Sequence, residues 1–319
     1  MKSESEIITL FYDKFADIPL LSRMDAVAET FIDEIETLLN RDLPEEERIP
    51  LIEKFRKMYE TMDFYVLYNR FLKKEGYQTL PRRPLEKRKL RYEDVYPVLY
   101  LKYRLSRQAE RSNIKHLVID EMQDYSRLQY LIIRRMFSCK MTILGDRAQT
   151  MADQQQDVLQ FLPGIFGKDL RRIEMRKSYR NTVEIASYAA NLIGVTDLEL
   201  FERHGMPVLE RDVTDLEAAL REAVDTLFPD EKTYETAAVI VPDEKTAERA
   251  YLILREILAE KDFDCEKRLS WLNRDSSSFK KGLTVTTFYL AKGLEFDQVF
   301  SIFPKDEKRE MMMQAQYIA

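Results

Sequence analysis

Apolar residues recur at three- and four-residue spacings through most of the first 110 positions, which predicts an almost continuous helical region. Over Arg23 to Leu39 the apolar positions are Met24, Val27, Ala28, Phe31, Ile32, Ile35 and Leu38, with acids on the opposite face. Pro44-Glu45-Glu46-Glu47 reads as the next helix start, with proline in the first turn and acids at the positive end of the dipole. From there Leu51, Phe55, Tyr59, Met62, Val66 and Phe71 predict a second long helix running towards Gly76. The dense aromatics of this region read as core rather than as a base-stacking platform. Gln78 to Arg91 breaks the pattern at Pro81 and Pro84, and helix resumes from Glu93 to Arg107, with Tyr92, Val95, Leu99 and Tyr103 along it.

Beyond this point the period alternates. Ile114-Lys115-His116-Leu117-Val118-Ile119 is a short apolar run that stops at Asp120-Glu121, the pattern of a buried parallel strand delivering acids to a sheet's carboxyl edge. A helix is expected at Ser126 to Met136, a buried strand at Lys140 to Leu144 and a turn at Gly145 to Gln149. Two neighbouring strands then end in polar residues at one edge. Further strands are expected at Leu170 to Met175, Glu235 to Val241, Leu283 to Phe288 and Asp297 to Phe303. The helices between them are an amphipathic one ending at Ile193, one near Leu216 to Leu227 and one from Asp243 to Glu260. This order is that of βαβ units, hence an α/β chain with parallel sheets. Phe263 to Lys281 shows no clear period, Ser276-Ser277-Ser278 suggests an exposed loop, and Trp271 reads as half-buried. Gln316-Tyr317-Ile318-Ala319 looks like an unfinished helix or strand.

With 319 residues the chain is long enough for two domains, each with its own core. A charged fraction of 33% beside 45% hydrophobic residues is that of a globular protein, and no apolar run approaches the roughly 18 residues of a membrane span. Met1-Lys2-Ser3-Glu4-Ser5-Glu6 is acidic and lacks an apolar core, so no secretory signal is expected and a cytoplasmic location is. The net charge of −6 argues against a uniformly basic nucleic-acid coat, yet it leaves room for a local basic groove. Arg82, Arg83, Lys87, Arg88, Lys89 and Arg91 form the most basic stretch, enough cations to neutralise several phosphates, although a solvated linker fits equally well. Cys139 and Cys265 are too few for a disulfide framework or a cysteine-rich metal site and read as buried free thiols. His116 and His204 make no metal pattern. Glycine is scarce, at eight residues.

The candidate chemistry sits where the strands end. In nucleotide hydrolases the first acid of a pair such as Asp120-Glu121 holds magnesium, a hard cation needing oxygen ligands, while the second orients or deprotonates the attacking water. A strand end with solvated acids produces the same dipeptide. Three more polar signatures follow apolar strands in order: Gly145-Asp146-Arg147-Ala148-Gln149, Ser178-Tyr179-Arg180-Asn181-Thr182, and Tyr289-Leu290-Ala291-Lys292-Gly293-Leu294-Glu295-Phe296-Asp297. Each is weak alone, and their order is the signal.

With Asp120-Glu121-Met122-Gln123-Asp124 leading it, this set resembles motifs II, III, IV and V of superfamily 1 helicases of the UvrD/Rep type, and its last member looks most like the HelD or helicase IV branch. The resemblance covers roughly residues 90 to 319; before that it is architectural, a helical insertion similar to the family's accessory subdomain. It implies ATP and Mg2+ as cofactors, single-stranded DNA or another nucleic acid as partner, and no membrane. By the same resemblance Asp120 coordinates the metal, Glu121 activates water, Gln149 senses the γ-phosphate, Tyr179 stacks on adenine and Arg180 acts as an arginine finger. Glu295 takes the ribose hydroxyls, and Thr287, Tyr289 and Lys292 contact the nucleic-acid backbone. Tyr179 and Thr287 also fit as packing residues, and Lys292 as a solvated charge.

The departures are as informative. No Gly-x-x-x-x-Gly-Lys-Ser/Thr run occurs, since Gly167-Lys168 is followed by Asp169. Thr150-Met151-Ala152 stands where many relatives carry a base-stacking aromatic, and motif VI would begin about where the chain ends. The expectation is therefore two RecA-like domains of the P-loop NTPase type, the first incomplete and carrying a helical insertion, from a helicase whose P-loop precedes this chain. The expected divisions are residues 1–90, a helical accessory subdomain; 91–169, the later part of the first RecA-like domain; and 170–319, the second. Closure of the two around ATP would bring Arg180 to Asp120 and Glu121. The alternative class is a non-catalytic module whose helical part binds a protein such as RNA polymerase.

Overall fold

The computed structural model describes residues 3–106, 113–146, 149, 157–195, 199–227, 234–261, 263–276, 281–304 and 317. Arg107, Arg147, Ala148, Thr150-Met151-Ala152, Ser277-Ser278, Gln316, Ile318 and Ala319, all named above, lie outside them. The chain is mixed α/β with parallel sheets and divides into two compact units, Met1–Gly145 with Gln156–Leu170, and Asp146–Gln155 with Arg171–Ala319.

The first unit begins with helices α1 (Glu4–Thr9), α2 (Arg23–Leu39) and α3 (Glu45–Arg56). Val27, Ala28 and Ile32 of α2 are buried as its periodicity predicts, but Leu38 is 85% exposed, lying two residues before the left-handed cap at Asn40 where the helix ends. The acids of α2 do not simply face water. Arg48 of α3 reaches Glu29 at 2.6 Å and Glu36 at 2.9 Å, and Arg56 forks onto Asp25 at 2.7 and 2.9 Å, so opposite charge holds the two helices in register.

The second long helix is broken. α3 stops at Arg56 and α4 (Phe64–Lys74) starts afresh behind Asp63, whose carboxylate accepts the Tyr65 backbone N–H at 2.9 Å. A side-chain acceptor of that kind competes with helix continuation and favours a new N-terminus. Tyr65, Tyr68 and Leu72 of α4 pack with Leu80 and with α5 (Tyr92–Leu105), which makes these aromatics core. On α5 the buried residue is Asp94, whereas Tyr92 is exposed and Val95 borderline.

Strands β1 (His116–Ile119) and β2 (Lys140–Ile143) pair in parallel, His116 opposite Lys140 and Ile119 opposite Ile143, with α6 (Arg127–Met136) between them. β1 is buried on one face only: Ile119 is buried while Val118 is 60% exposed, since only one face of the pair is covered by helix among the described residues. That cover comes from Tyr130 of α6 and from Val158 and Leu162 of α7 (Val158–Phe166), one cluster with Ile119 and Met122.

In the second unit β3 (Lys177–Ser178) pairs in parallel with β4 (Glu199–Leu200), and α8 (Val183–Ile193) joins them. The strand expected at Leu170 to Met175 does not form, and Ile173 and Met175 stand 74% and 88% exposed. Charged Arg171, Arg172 and Glu174 interrupt that run, and among the described residues it meets no pairing edge. After α9 (Leu216–Leu227) come β5 (Thr236–Val241), α10 (Glu244–Ala259), α11 (Cys265–Arg268), β6 (Leu269–Trp271), β7 (Gly282–Thr287), α12 (Phe288–Ala291) and β8 (Gln298–Ser301). The sheet order is β6-β7-β5-β8, all parallel. β5 and β7 are buried almost throughout, and Leu220, Val224, Leu254 and Leu258 of α9 and α10 close over them. α11 and β6 fill the stretch without a period, being too short to show one. Trp271 is half-buried and stacks on Tyr251, whereas Cys139 and Cys265 are free but half-buried rather than buried.

Candidate functional site

At the carboxyl end of β1 the chain leaves the sheet in a fixed turn. The Asp120 carboxylate accepts the Glu121 backbone N–H at 2.8 Å, the Met122 N–H goes to the Leu144 carbonyl at 2.8 Å, and the buried Tyr130 hydroxyl donates to the Met122 carbonyl at 3.0 Å. Glu121 sits at φ +52°, in the left-handed region that a side chain with Cβ rarely adopts, at a cost of about 1–3 kcal/mol. Its carboxylate accepts the Gln123 amide at 2.6 Å, and Gln123 is itself buried. Asp120 is exposed, with one carboxylate oxygen taken by the turn. Gly145, at the end of β2, closes this arrangement. A Cβ there would stand 2.5 Å from the Gln123 Oε1 and 2.6 Å from the Met122 backbone nitrogen, so only glycine lets the two strand ends approach this closely. The sequence pointed to Asp120 and Glu121; the supporting parts played by Gln123, Tyr130 and Gly145 depend on which residues the turn brings together.

In the second unit Gln149 donates to Asp146 at 3.3 Å, and the same carboxylate oxygen accepts the Tyr317 hydroxyl at 3.3 Å. Burial pushes the Tyr317 phenol up to about 12, helped by the Asp146 charge.

Tyr179 and Arg180 follow β3 and are exposed. The Tyr179 ring lies 5.5 Å from that of Phe201, with the Lys177 ammonium 5.6 and 5.8 Å from the two centroids. Arg180 Nε pairs with Glu295 at 2.8 Å, which brings together two residues read from separate motifs. The backbone behind them is fastened at several points: Arg203 donates to the Arg180 carbonyl at 2.6 Å and its own carbonyl accepts the Val183 N–H at 2.9 Å. Glu184 accepts His204 Nδ1 and the Gly205 N–H, both at 2.9 Å, and these bonds hold its carboxyl down at about 2. The periodic reading found neither Phe201 nor Arg203, because each acts across more than twenty residues.

The remaining candidates lie around α12. Thr287 is 1% exposed, so its side chain faces the interior, and its hydroxyl has no hydrogen-bond partner among the described residues. Tyr289 is half-buried beneath the Arg274 guanidinium, 5.8 Å from the ring centre. Lys292 is half-buried at the end of α12, where its N–H meets the Phe288 carbonyl at 3.2 Å. Asp297 has a structural part that its place in the motif did not announce. It accepts the backbone N–H groups of Glu235 and Thr236 at 2.9 Å and the Thr236 hydroxyl at 3.1 Å, which ties the start of β8 to that of β5. The Thr236 N–H above all keeps its carboxyl below the ordinary aspartate range.

Residues 4–151 match the UvrD/REP helicase N-terminal domain. The match takes in the helical region, the β1–β2 pair and the turn carrying Asp120 and Glu121, and it supports the UvrD/Rep superfamily for this part of the chain. At the level of the family it implies ATP-dependent helicase activity and nucleic-acid binding. No curated protein matches the chain. Among the described residues no group of three or more metal-binding side chains gathers, and no helix is long and apolar enough to cross a membrane.

Proposed function

We propose that this chain forms part of an ATP-driven helicase or translocase of the HelD-like branch, with Asp120 and Glu121 at its hydrolytic centre. The observation that carries this reading is the turn after β1, where a strained Glu121 and an exposed Asp120 are held side by side at the carboxyl edge of a parallel pair. Strain of that kind, fixed by a surrounding network, is characteristic of functional positions.

The donor set fits magnesium. In nucleotide sites that ion takes one or two carboxylates and draws its other ligands from phosphates and water, so a gathering of three acids is not needed. Asp120 has one oxygen committed to the Glu121 N–H and the other without a partner among the described residues, as a hard-cation ligand requires. When bound, the ion neutralises charge on the phosphates. Glu121, oriented by Gln123, accepts the proton of the attacking water. Arg180 supplies positive charge for the transferred phosphoryl group, Glu295 accepts from the ribose hydroxyls, Tyr179 offers its exposed ring to the adenine, and Gln149 reads the γ-phosphate. Tyr289 and Lys292 line the nucleic-acid path of the second unit, whereas the buried Thr287 packs in the interior.

The chain contains no glycine-lysine phosphate cradle, so the test joins it to one. Phosphate release is measured with magnesium and single-stranded DNA on that fusion. Glu121→Gln is expected to cut the rate by roughly 10²–10⁴ with nucleotide still bound, as for loss of a general base. Release that survives Glu121→Gln refutes the assignment.

A further inference from the structure

The six cations between Arg82 and Arg91 divide into two kinds. Arg88 is pinned: it meets Asp63 at 2.6 Å, donates to the Arg83 carbonyl at 3.0 Å and lies 4.7 Å over the Tyr65 ring. Arg91 is pinned on Asp94 at 2.7 Å. The start of the stretch is anchored as well. Leu80 is buried, with its N–H on Asn69 Oδ1 at 2.7 Å and its carbonyl on Asn69 Nδ2 at 3.3 Å, and the Tyr65 hydroxyl donates to the Pro81 carbonyl at 2.7 Å. Arg82, Arg83, Lys87 and Lys89 are different: all four are exposed and none has an ion pair or side-chain hydrogen bond among the described residues. Glu86 is the one acid between Gln78 and Arg91.

We infer that residues 82–89 are a preformed phosphate-binding ribbon for single-stranded nucleic acid, in which the pinned arginines hold the backbone and the four unpaired cations meet the phosphates. The inference rests on the nucleic-acid part of the proposed function and adds a surface that none of its residues supplies. A flexible basic linker must be ordered when it binds, whereas this one is already fastened to α4 and α5 and loses little further freedom. Its chemistry suits a nucleic acid better than an acidic peptide. Exposed rings flank the cations, Tyr77 at 65% and Tyr92 at 78%, and bases stack on such rings while carboxylates gain nothing from them.

Four phosphates neutralised on a single strand give a slope of about −2.8 in log affinity against log salt, or roughly a 50-fold loss between 50 and 200 mM. The test is fluorescence anisotropy of a labelled single-stranded oligonucleotide with the full chain across that range. Each of Arg82→Gln, Arg83→Gln, Lys87→Gln and Lys89→Gln is expected to reduce the slope by about 0.7, and the fourfold variant to reduce it by about 2.8. Arg134→Gln with Arg135→Gln, exposed cations on α6, is the charge control and leaves the slope unchanged. An equal drop in that control, or displacement by polyglutamate as effective as by unlabelled oligonucleotide, overturns the ribbon. So does an unchanged slope in the fourfold variant; if Lys292→Gln then weakens binding, the wider nucleic-acid reading stands without it. A wild-type chain that retains no oligonucleotide at 50 mM salt refutes both.

Discussion

The buried junction between α4 and α5 gives a sharp test of what holds the first unit together. Asp94 is 2% exposed and accepts three bonds, from the Tyr68 hydroxyl at 2.8 Å and from Arg91 Nε and Nη2 at 2.7 and 3.5 Å. Tyr68→Phe deletes one donor and leaves the carboxylate with its arginine. A hydrogen bond to a charged group contributes about 1.5–3 kcal/mol, so local opening should become roughly 40-fold easier at the middle of that range. Asp94→Ala costs more, since it strands the Tyr68 hydroxyl in the interior. Arg91 is half-exposed and turns back to water, which keeps the loss at the lower end of the ~3–5 kcal/mol expected when a buried pair is broken. The assay is hydrogen exchange of peptides covering α4 and α5, with α9 and α10 as internal reference. Protection in Tyr68→Phe within twofold of wild type would refute the reasoning. The same junction sets a pH window. Burial first, and the Asp94 bond second, push the Tyr68 phenol up to about 12, whereas in the unfolded chain it ionises near 10. The folded state therefore holds its proton longer, and the stability this group contributes is complete below about pH 10 and lost as pH climbs towards 12. Thermal unfolding by circular dichroism across that window should show a loss in wild type that is smaller in Tyr68→Phe.

Gly145→Ala forces a Cβ to within 2.6 Å of the Met122 backbone nitrogen, so the turn holding Asp120 and Glu121 must move; a loss of about 1–3 kcal/mol is expected in thermal unfolding, and an unchanged Tm would show that the strand ends have slack. The Glu184 carboxyl, held at about 2 by His204 and the Gly205 N–H, should titrate upwards in His204→Ala when followed by carboxyl carbon NMR. Being depressed, it stabilises the docked 203–205 segment above the ordinary glutamate range, and that contribution is lost as pH falls towards 2. A midpoint indifferent to His204 removes the bond from the account.

Elements whose cause is periodic could be read from the chain. α2 begins and ends where its apolar spacing does; β5 is legible as a continuous apolar run, and β7 by its β-branched valine and threonines. What escaped has causes that are not periodic. The helix expected from Leu51 to Phe71 stops at Arg56 and restarts behind Asp63, whose carboxylate caps α4. Asp94 reads as an exposed acid in the first turn of α5, and only its meeting with Tyr68, 26 residues earlier, makes it core. Arg88 and Arg91 look no different in sequence from Arg82 and Arg83, yet Asp63 and Asp94 convert the first two from surface charge into fastenings. For the candidate site the order of the polar signatures nominates residues; their partners, Gln123 beneath Glu121 or Arg203 behind Arg180, are set by folding.

Glu295 and Asp297, two positions apart, show why a motif does not assign roles by itself. Asp297 gathers three hydrogen bonds that hold β8 to β5, and exchanging them for a ligand would undo the sheet edge. Glu295 is 66% exposed and its partner Arg180 is 64% exposed, so their ion pair contributes only about 0–1 kcal/mol and is cheaply replaced. Under the roles proposed, a nucleotide phosphate that draws Arg180 away also frees Glu295 for the ribose, and one binding event readies both residues. The nearby fastenings at Arg203 and Asp297 do not have to change for this to happen. The fixed acid and the exchangeable one are therefore complementary: the first keeps the strand ends where they are while the second changes partner.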